Sequence, residues 1–348
     1  MMVSDLLQGE LETRGWAQAD LARVLSWPAQ AVSELRQGKR SIDAQMAVDL
    51  ETVTGKSAEE WLLAQAKDDL SVTRGRRGDA QRQQQIAARA QLESLVPTRE
   101  LIRRGLIDRK DPELQAKQVH ELIGDDPTLG ASAKRTSNAV EFTRAQRAWI
   151  ALARRQGQGA NVASFNEERF VDLAASLAHT MVAPEDFEQL PGLFAEVGVP
   201  LVYVRPFPGG RIDAVSMGVA GRPLIALSGR GKRLDKVFFA LLHECAHVAS
   251  GHWHDAPRVH EAASERVVGD ERAEAAVNKL AESWVFPRGI GNVNRPVTNK
   301  TITELALKHK VAPAVVVGHL QHKGEIAWSS TLGRGLPNVE GALMKWKK

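Results

Sequence analysis

His243 and His247 stand four residues apart with Glu244 directly after the first, in the run His243-Glu244-Cys245-Ala246-His247. On an α-helix that interval stacks two imidazoles on one face, where neutral ring nitrogens can grip a single zinc ion. Three protein ligands would leave one position for a water whose pKa falls towards ~7, and the metal would polarise a peptide carbonyl. Glu244 then suits a general base that takes the proton of that water and passes it to the leaving amine. Val237, Phe238, Phe239, Leu241 and Leu242 precede the motif, and Ala246, Val248 and Ala249 extend the apolar run through it. This pattern predicts a buried helix over about 234–250. Burying unpaired imidazoles and a carboxylate there would be costly, which makes a metal the expected partner. Cys245 leaves the helix in another direction and reads as a small buried hydrophobe.

The third ligand decides what kind of site this is. A metzincin would need a glycine and a third histidine where Ser250 and Trp253 stand, so that pattern is rejected although His252 and His254 flank the place. Downstream, a helical pattern runs from about Glu271 to Phe286 and stops at Pro287; it carries Glu274 and Asn278 four apart. Such a helix would lay Glu274 against the metal and let Asn278 orient a histidine. Glu271, one turn earlier, is the rival ligand. A closed, purely structural site would need a fourth protein ligand such as His252 or Glu271.

From about Val199 to Ser329 the chain resembles the ImmA/IrrE family of zinc-dependent metallopeptidases. The resemblance rests on an HExxHxxxGH stretch, matched by His243 through Gly251 and His252, and on Glu274-Ala-Ala-Val-Asn278-Lys-Leu280-Ala281 ending in Trp284-Val-Phe-Pro287. Leu280 replaces the family's usual aromatic and Val277 its usual alanine, apolar changes that bear on packing. The resemblance implies a gluzincin-like centre in which His243, His247 and Glu274 bind Zn2+ and Glu244 is the base. It implies in addition that the peptidase cuts a repressor, or its own chain, when a signal arrives. Before the zinc helix, strand-like runs at Val199–Val204, Ala214–Val219 and Pro223–Leu227 predict a small antiparallel sheet with helices on one side, an α+β zincin-like domain. Tyr203, His252 and His260 are the candidates for a general acid or oxyanion donor.

Residues 4–66 read as five short amphipathic helices, with turn signals at Gly15, Ser26-Trp27-Pro28, Gly38 and Thr54-Gly55 and a capping box at Ser57 and Glu60. The stretch Trp16-Ala-Gln18-Ala-Asp20-Leu21-Ala22, followed by Pro28-Ala-Gln30-Ala31-Val32-Ser33-Glu34-Leu35-Arg36, resembles the helix-turn-helix of XRE-type repressors. Within that class it is most similar to HigA-like antitoxins, whose ending is echoed by Trp61-Leu62-Leu63-Ala-Gln65-Ala66. The second helix of such a unit enters the major groove. Gln30, Ser33 and Glu34 are the candidates for base contacts, and Gln18, Arg36, Lys39 and Arg40 for phosphates. Ser26 holds a turn position that favours glycine, at a cost of ~1–2 kcal/mol if left-handed. Residues 1–70 carry seven Lys or Arg against twelve Asp or Glu, a net of 7 − 12 = −5. DNA binding would therefore lean on the local basic rim of Arg36, Lys39 and Arg40. A module for dimerisation or partner contact is the competing reading.

Residues 71–160 reverse the balance, with seventeen basic and ten acidic residues, net +7. They open on the loop-like Thr73-Arg74-Gly75-Arg76-Arg77-Gly78, and helical patterns follow at about 79–95, 98–104, 112–123, 140–156 and 166–181. Two further helices are predicted near 301–309 and 313–322. The expected plan is a multidomain chain: an all-α helix-turn-helix domain over 1–70, a helical linker or bundle over 71–182, and the peptidase domain over 183–348. Its 348 residues suffice for two or three domains, and one cysteine excludes an internal disulfide. No secretory pattern opens the chain and no run is long enough to span a bilayer, which points to a cytoplasmic protein with no membrane partner. The combined expectation is an operator-bound regulator, with room for a homodimer, whose peptidase domain takes a protein substrate. The alternative is a HigA-like antitoxin or autorepressor whose zinc domain is a non-hydrolytic binding or sensor platform.

Overall fold

The structure, a computed structural model, describes residues 2–75, 78–124, 129, 142–254, 258–260, 271–293 and 295–346, the side chains of residues 79 and 258–260 excepted. Arg76 and Arg77 of the basic loop, the start of the helical pattern at 140 and the His260 side chain therefore lie outside the described residues. The chain divides into two compact units, Met1–Arg89 and Ala90–Lys348. Among the described residues no helix is long and apolar enough to cross a membrane.

The first unit holds α1 (Val3–Arg14), α2 (Gln18–Leu25), α3 (Ala29–Arg36), α4 (Ala44–Thr54) and α5 (Ala58–Arg74). Leu7, Leu21, Val32, Leu35, Leu50 and Trp61, drawn from all five helices, meet in one buried core. Local chemistry sets the helix starts. Asp43 caps the Met46 N–H of α4 at 2.8 Å. Ser57 and Glu60 satisfy each other's backbone N–H at 3.2 and 3.1 Å, the predicted capping box. Between α2 and α3 Ser26 takes the left-handed conformation, φ 55° and ψ 34°, and the Trp27 N–H closes back on the Ala22 carbonyl at 2.9 Å. The expected strain at Ser26, ~1–2 kcal/mol, is thus present.

In the second unit, the chain after α6 (Asp79–Leu95) runs through α7 (Thr98–Arg103), α8 (Pro112–Ile123), α9 (Arg144–Gln158), α10 (Glu167–Thr180) and α11 (Leu190–Glu196). It then forms β1 (Leu201–Tyr203), β2 (Ala214–Val219), β3 (Arg222–Leu227), α12 (Leu234–Ala249), β4 (Arg258–His260) and α13 (Glu271–Val285). α14 (Asn299–His309), α15 (Pro313–His322) and α16 (Glu340–Lys345) close it. The four strands lie in the order β1-β3-β2-β4. β2 and β3 form a hairpin whose two central residues, Ala220 and Gly221, both have positive φ (50° and 77°), as a two-residue turn matching strand twist requires.

Two expectations are corrected. The sheet is mixed, not antiparallel throughout, because β1 pairs parallel with β3. Helices cover both of its faces, not one. The strands explain this: Leu201, Tyr203, Ala214, Ile225 and Leu227 enter the core formed with α10 to α16, while Val202, Val204, Val215, Met217, Leu224 and Ala226 enter a second core with α8 and α9. A sheet apolar on both faces must be covered on both. Trp149 of α9 is 1% exposed and donates its indole N–H to the Val204 carbonyl at 2.9 Å. Residues 90–182 consequently share one compact unit with the strands and α12, where the sequence reading drew a boundary at 182/183.

Candidate metal centre

α12 is buried along almost its whole length, as its apolar run dictates. Phe238, Leu241, Leu242, Cys245 and Ala246 have no exposed surface. Its first turn is anchored by the Leu234 N–H on the Pro337 carbonyl at 2.8 Å and by the buried Asp235, which accepts from Arg233 at 2.6 Å. α13 crosses the same core through Val277, Ala281, Trp284 and Val285, and Pro287 follows its last turn. These two faces bring the motif together.

His243, His247 and Glu274 form a group able to hold a metal ion, with one ligand atom of each within 4.8 Å of the others. The two Nε2 atoms are 3.0 Å apart, and each lies 3.5 Å from an oxygen of the Glu274 carboxylate. A tetrahedral ion with bonds of about 2.0–2.2 Å sets its ligand atoms roughly 3.3–3.5 Å apart, so the donor set fits such an ion with the histidine pair slightly tight. The back of each ring is occupied. His243 Nδ1 lies 3.0 Å from Asn278 Oδ1, an acceptor, so its proton sits there and its Nε2 presents a lone pair. His247 Nδ1 lies 2.9 Å from Nδ1 of His252. The Nε2 atoms of both rings and a carboxylate thus converge on one point, an arrangement that suits a cation.

Asn278 is where the helical spacing put it. His252 arrives by a different device. Gly251, at φ 74°, turns the chain in the left-handed region just past α12, and the short 3-10 turn His252–His254 folds back beneath His247. His252 therefore meets the ring edge opposite Nε2, so it does not complete the sphere as a fourth ligand. Glu271 is exposed and outside the group. Tyr203 is on β1 and lines a cavity whose lining includes none of His243, Glu244, His247 and Glu274. Cys245 is fully buried, and burial pushes its thiol well above its ordinary value, which leaves it inert. His319, on α15, is 5% exposed and packs on the Phe286 ring at 4.6 Å, a structural histidine.

Glu244 is 1% exposed. Burial drives its carboxyl up from 4.5 to about 7, opposed by the charge of His247 and by Ser216. Ser216 nevertheless makes no hydrogen bond of normal geometry to it, and neither carboxylate oxygen has a partner among the described residues. A divalent cation nearby would draw that value down again. Ser216 escaped the sequence reading; its one signal is a hydroxyl in the apolar strand Ala214–Val219, two residues from Ala214 and hence on the α12 face.

In the first unit Gln30, Arg36, Lys39 and Arg40 are exposed, and Gln18, Ser33 and Glu34 are half-buried. Gln30 donates to Glu34 at 2.8 Å, Arg40 pairs with the same carboxylate at 3.4 Å, and Gln37 donates to Ser33 at 3.0 Å. Gln37, one turn beyond Ser33 on the same face, is the polar neighbour that the candidate set omitted. These side chains are linked along one helix face, and no burial forces them on a ligand. Comparison with protein-family models, curated proteins and solved structures finds no match for this chain.

Proposed function

We propose that the protein is a zinc-dependent endopeptidase of the ImmA/IrrE kind joined in one chain to an XRE/HigA-like helix-turn-helix unit. The observation that carries the reading is the convergence of His243 Nε2, His247 Nε2 and the Glu274 carboxylate beside a buried, unpaired Glu244. Zinc held by His243, His247 and Glu274 would supply an acidified water and a polarised peptide carbonyl. The chain's own residues do the rest. Asn278 and His252 hold the two rings in orientation from behind. Glu244, buried beside the ligands and held ionised once a cation sits there, accepts the proton of the attacking water and delivers it to the departing amine.

α2 and α3 would dock the chain on operator DNA, with Gln30 and Ser33 towards base edges and Arg36, Lys39 and Arg40 towards phosphates. Tethering raises the effective concentration of the peptidase near a repressor bound at the same operator. The test uses the full chain and its Glu244→Gln variant, with zinc counted by atomic emission and cleavage of a protein-derived peptide library followed by mass spectrometry. Both should carry one zinc, and new peptide termini should fall about 10²–10⁴-fold in the variant. Zinc without wild-type cleavage would favour the non-hydrolytic platform; no zinc in wild type would end the reading.

A further inference from the structure

A concave site lies in the same unit, at the end of β1. It has a volume of about 570 Å³ and is bounded by α7, α9, the segment following β1 and the start of α16. Its buried lining is apolar and aromatic: Leu152, Val204 and Tyr203 are 7%, 2% and 4% exposed. Its outer lining is cationic. Arg103, Arg104, Arg205 and Lys232 face Glu340, the single carboxylate of the lining.

The cations play different parts. Arg104 is a strut: it donates to the Arg205 and Pro206 carbonyls at 2.9 and 2.7 Å and to Glu100 at 2.7 Å, and stands 3.8 Å over the Phe207 ring. Its work is to fix the backbone from which Arg205 projects. Arg205 itself is exposed, with a 3.9 Å contact to the Met344 sulfur and no carboxylate within ion-pair distance among the described residues. Lys232 pairs with Glu340 at 2.7 Å, but their side chains are 56% and 34% exposed, so an incoming anion competes easily for the ammonium. Burial and the charge of Glu340 hold the Tyr203 phenol above its ordinary value, opposed by Arg205, whose guanidinium lies beside it.

We infer that this cavity binds a small phosphate monoester with an apolar or aromatic body, its phosphate between Arg205 and Lys232 and its body against Leu152, Val204 and Tyr203. Guanidinium and ammonium together suit a dianion. Inorganic phosphate would fill only a small part of the volume and leave the apolar lining wet, which is why an organic body is part of the inference. The cavity also adjoins the metal-bearing helix. The Val339 N–H bonds to the Lys232 carbonyl at 2.9 Å and the Leu234 N–H to the Pro337 carbonyl at 2.8 Å, so the segment carrying Glu340 is strapped to the first turn of α12.

The inference does not depend on the peptidase reading, and its test reads binding. Titration calorimetry on the full chain with phenyl phosphate should give saturable one-to-one binding, about tenfold or more tighter than inorganic phosphate or phenol. Arg205→Gln and Lys232→Gln, both at exposed positions, should each weaken it about tenfold, while Arg169→Gln on α10 should leave it unchanged. Glu274→Gln should bind phenyl phosphate as the wild type does. Absence of saturable binding, equal affinity for inorganic phosphate, indifference to both substitutions, or loss of binding in Glu274→Gln, which would place the anion at the metal centre, each overturns the proposal.

Discussion

The helix pair α2–α3 and the helix pair α12–α13 carry their candidate functional residues in opposite ways. On α3, Gln30, Ser33, Glu34 and Arg36 face outwards, held by one another through contacts such as Gln30 to Glu34. On α12 and α13, His243, His247 and Glu274 face inwards to a point where lone pairs crowd within 3.0–3.5 Å. Burial makes the second arrangement expensive without a ligand, whereas water satisfies the first at no cost. A polar cluster is informative in proportion to what it would cost to leave it empty.

The strongest way to break this contrast is to remove support from beneath the buried pair. Phe238 is fully buried on α12, just over a turn before His243, and Phe238→Ala should destabilise the second unit by about 3–5 kcal/mol in a urea titration. On the proposed reading, zinc content should fall with it while affinity for operator DNA holds. A smaller change sharpens the role of the outer partners: Asn278→Ala should weaken zinc binding about 10–100-fold by competition with a chelator, leaving the fold intact. On the proposed DNA-binding reading, in which Arg36 meets a phosphate, Arg36→Ala should reduce the magnitude of the slope of log affinity against log salt by about 1. An unchanged slope would place DNA elsewhere.

A buried group with no ligand role supplies a test that needs neither metal nor DNA. Burial lowers His319 from 6.5 to about 4, opposed by Glu282. The folded state holds the neutral ring, so its stability contribution is complete above about pH 6.5 and is lost as pH falls towards about 4, where the unfolded chain binds one proton more. Stability of the second unit should therefore decline across that window, and His319→Gln should flatten the decline in urea titrations at stepped pH.

Much of this was legible because local rules and burial agree. α12 was expected over 234–250 and spans Leu234–Ala249, since its apolar residues and the Gly251 that follows both act within a turn or two. The Ser57–Glu60 box was readable for the same reason. What escaped reading depends on partners far along the chain. The parallel pairing of β1 with β3 and the second core joining α9 to the sheet have no local signature. The cavity beside β1 unites residues from 103 to 340.

Order along the chain, then, already contained the histidine spacing, the carboxylate four residues ahead of Asn278 and the helices that bear them, because 3.6-residue periodicity and side-chain size act locally. Packing alone decided which carboxylate faces the histidines, that His252 turns behind His247, and that the sheet is covered on both faces. Those outcomes depend on which distant apolar surfaces meet, and no local interval encodes that choice.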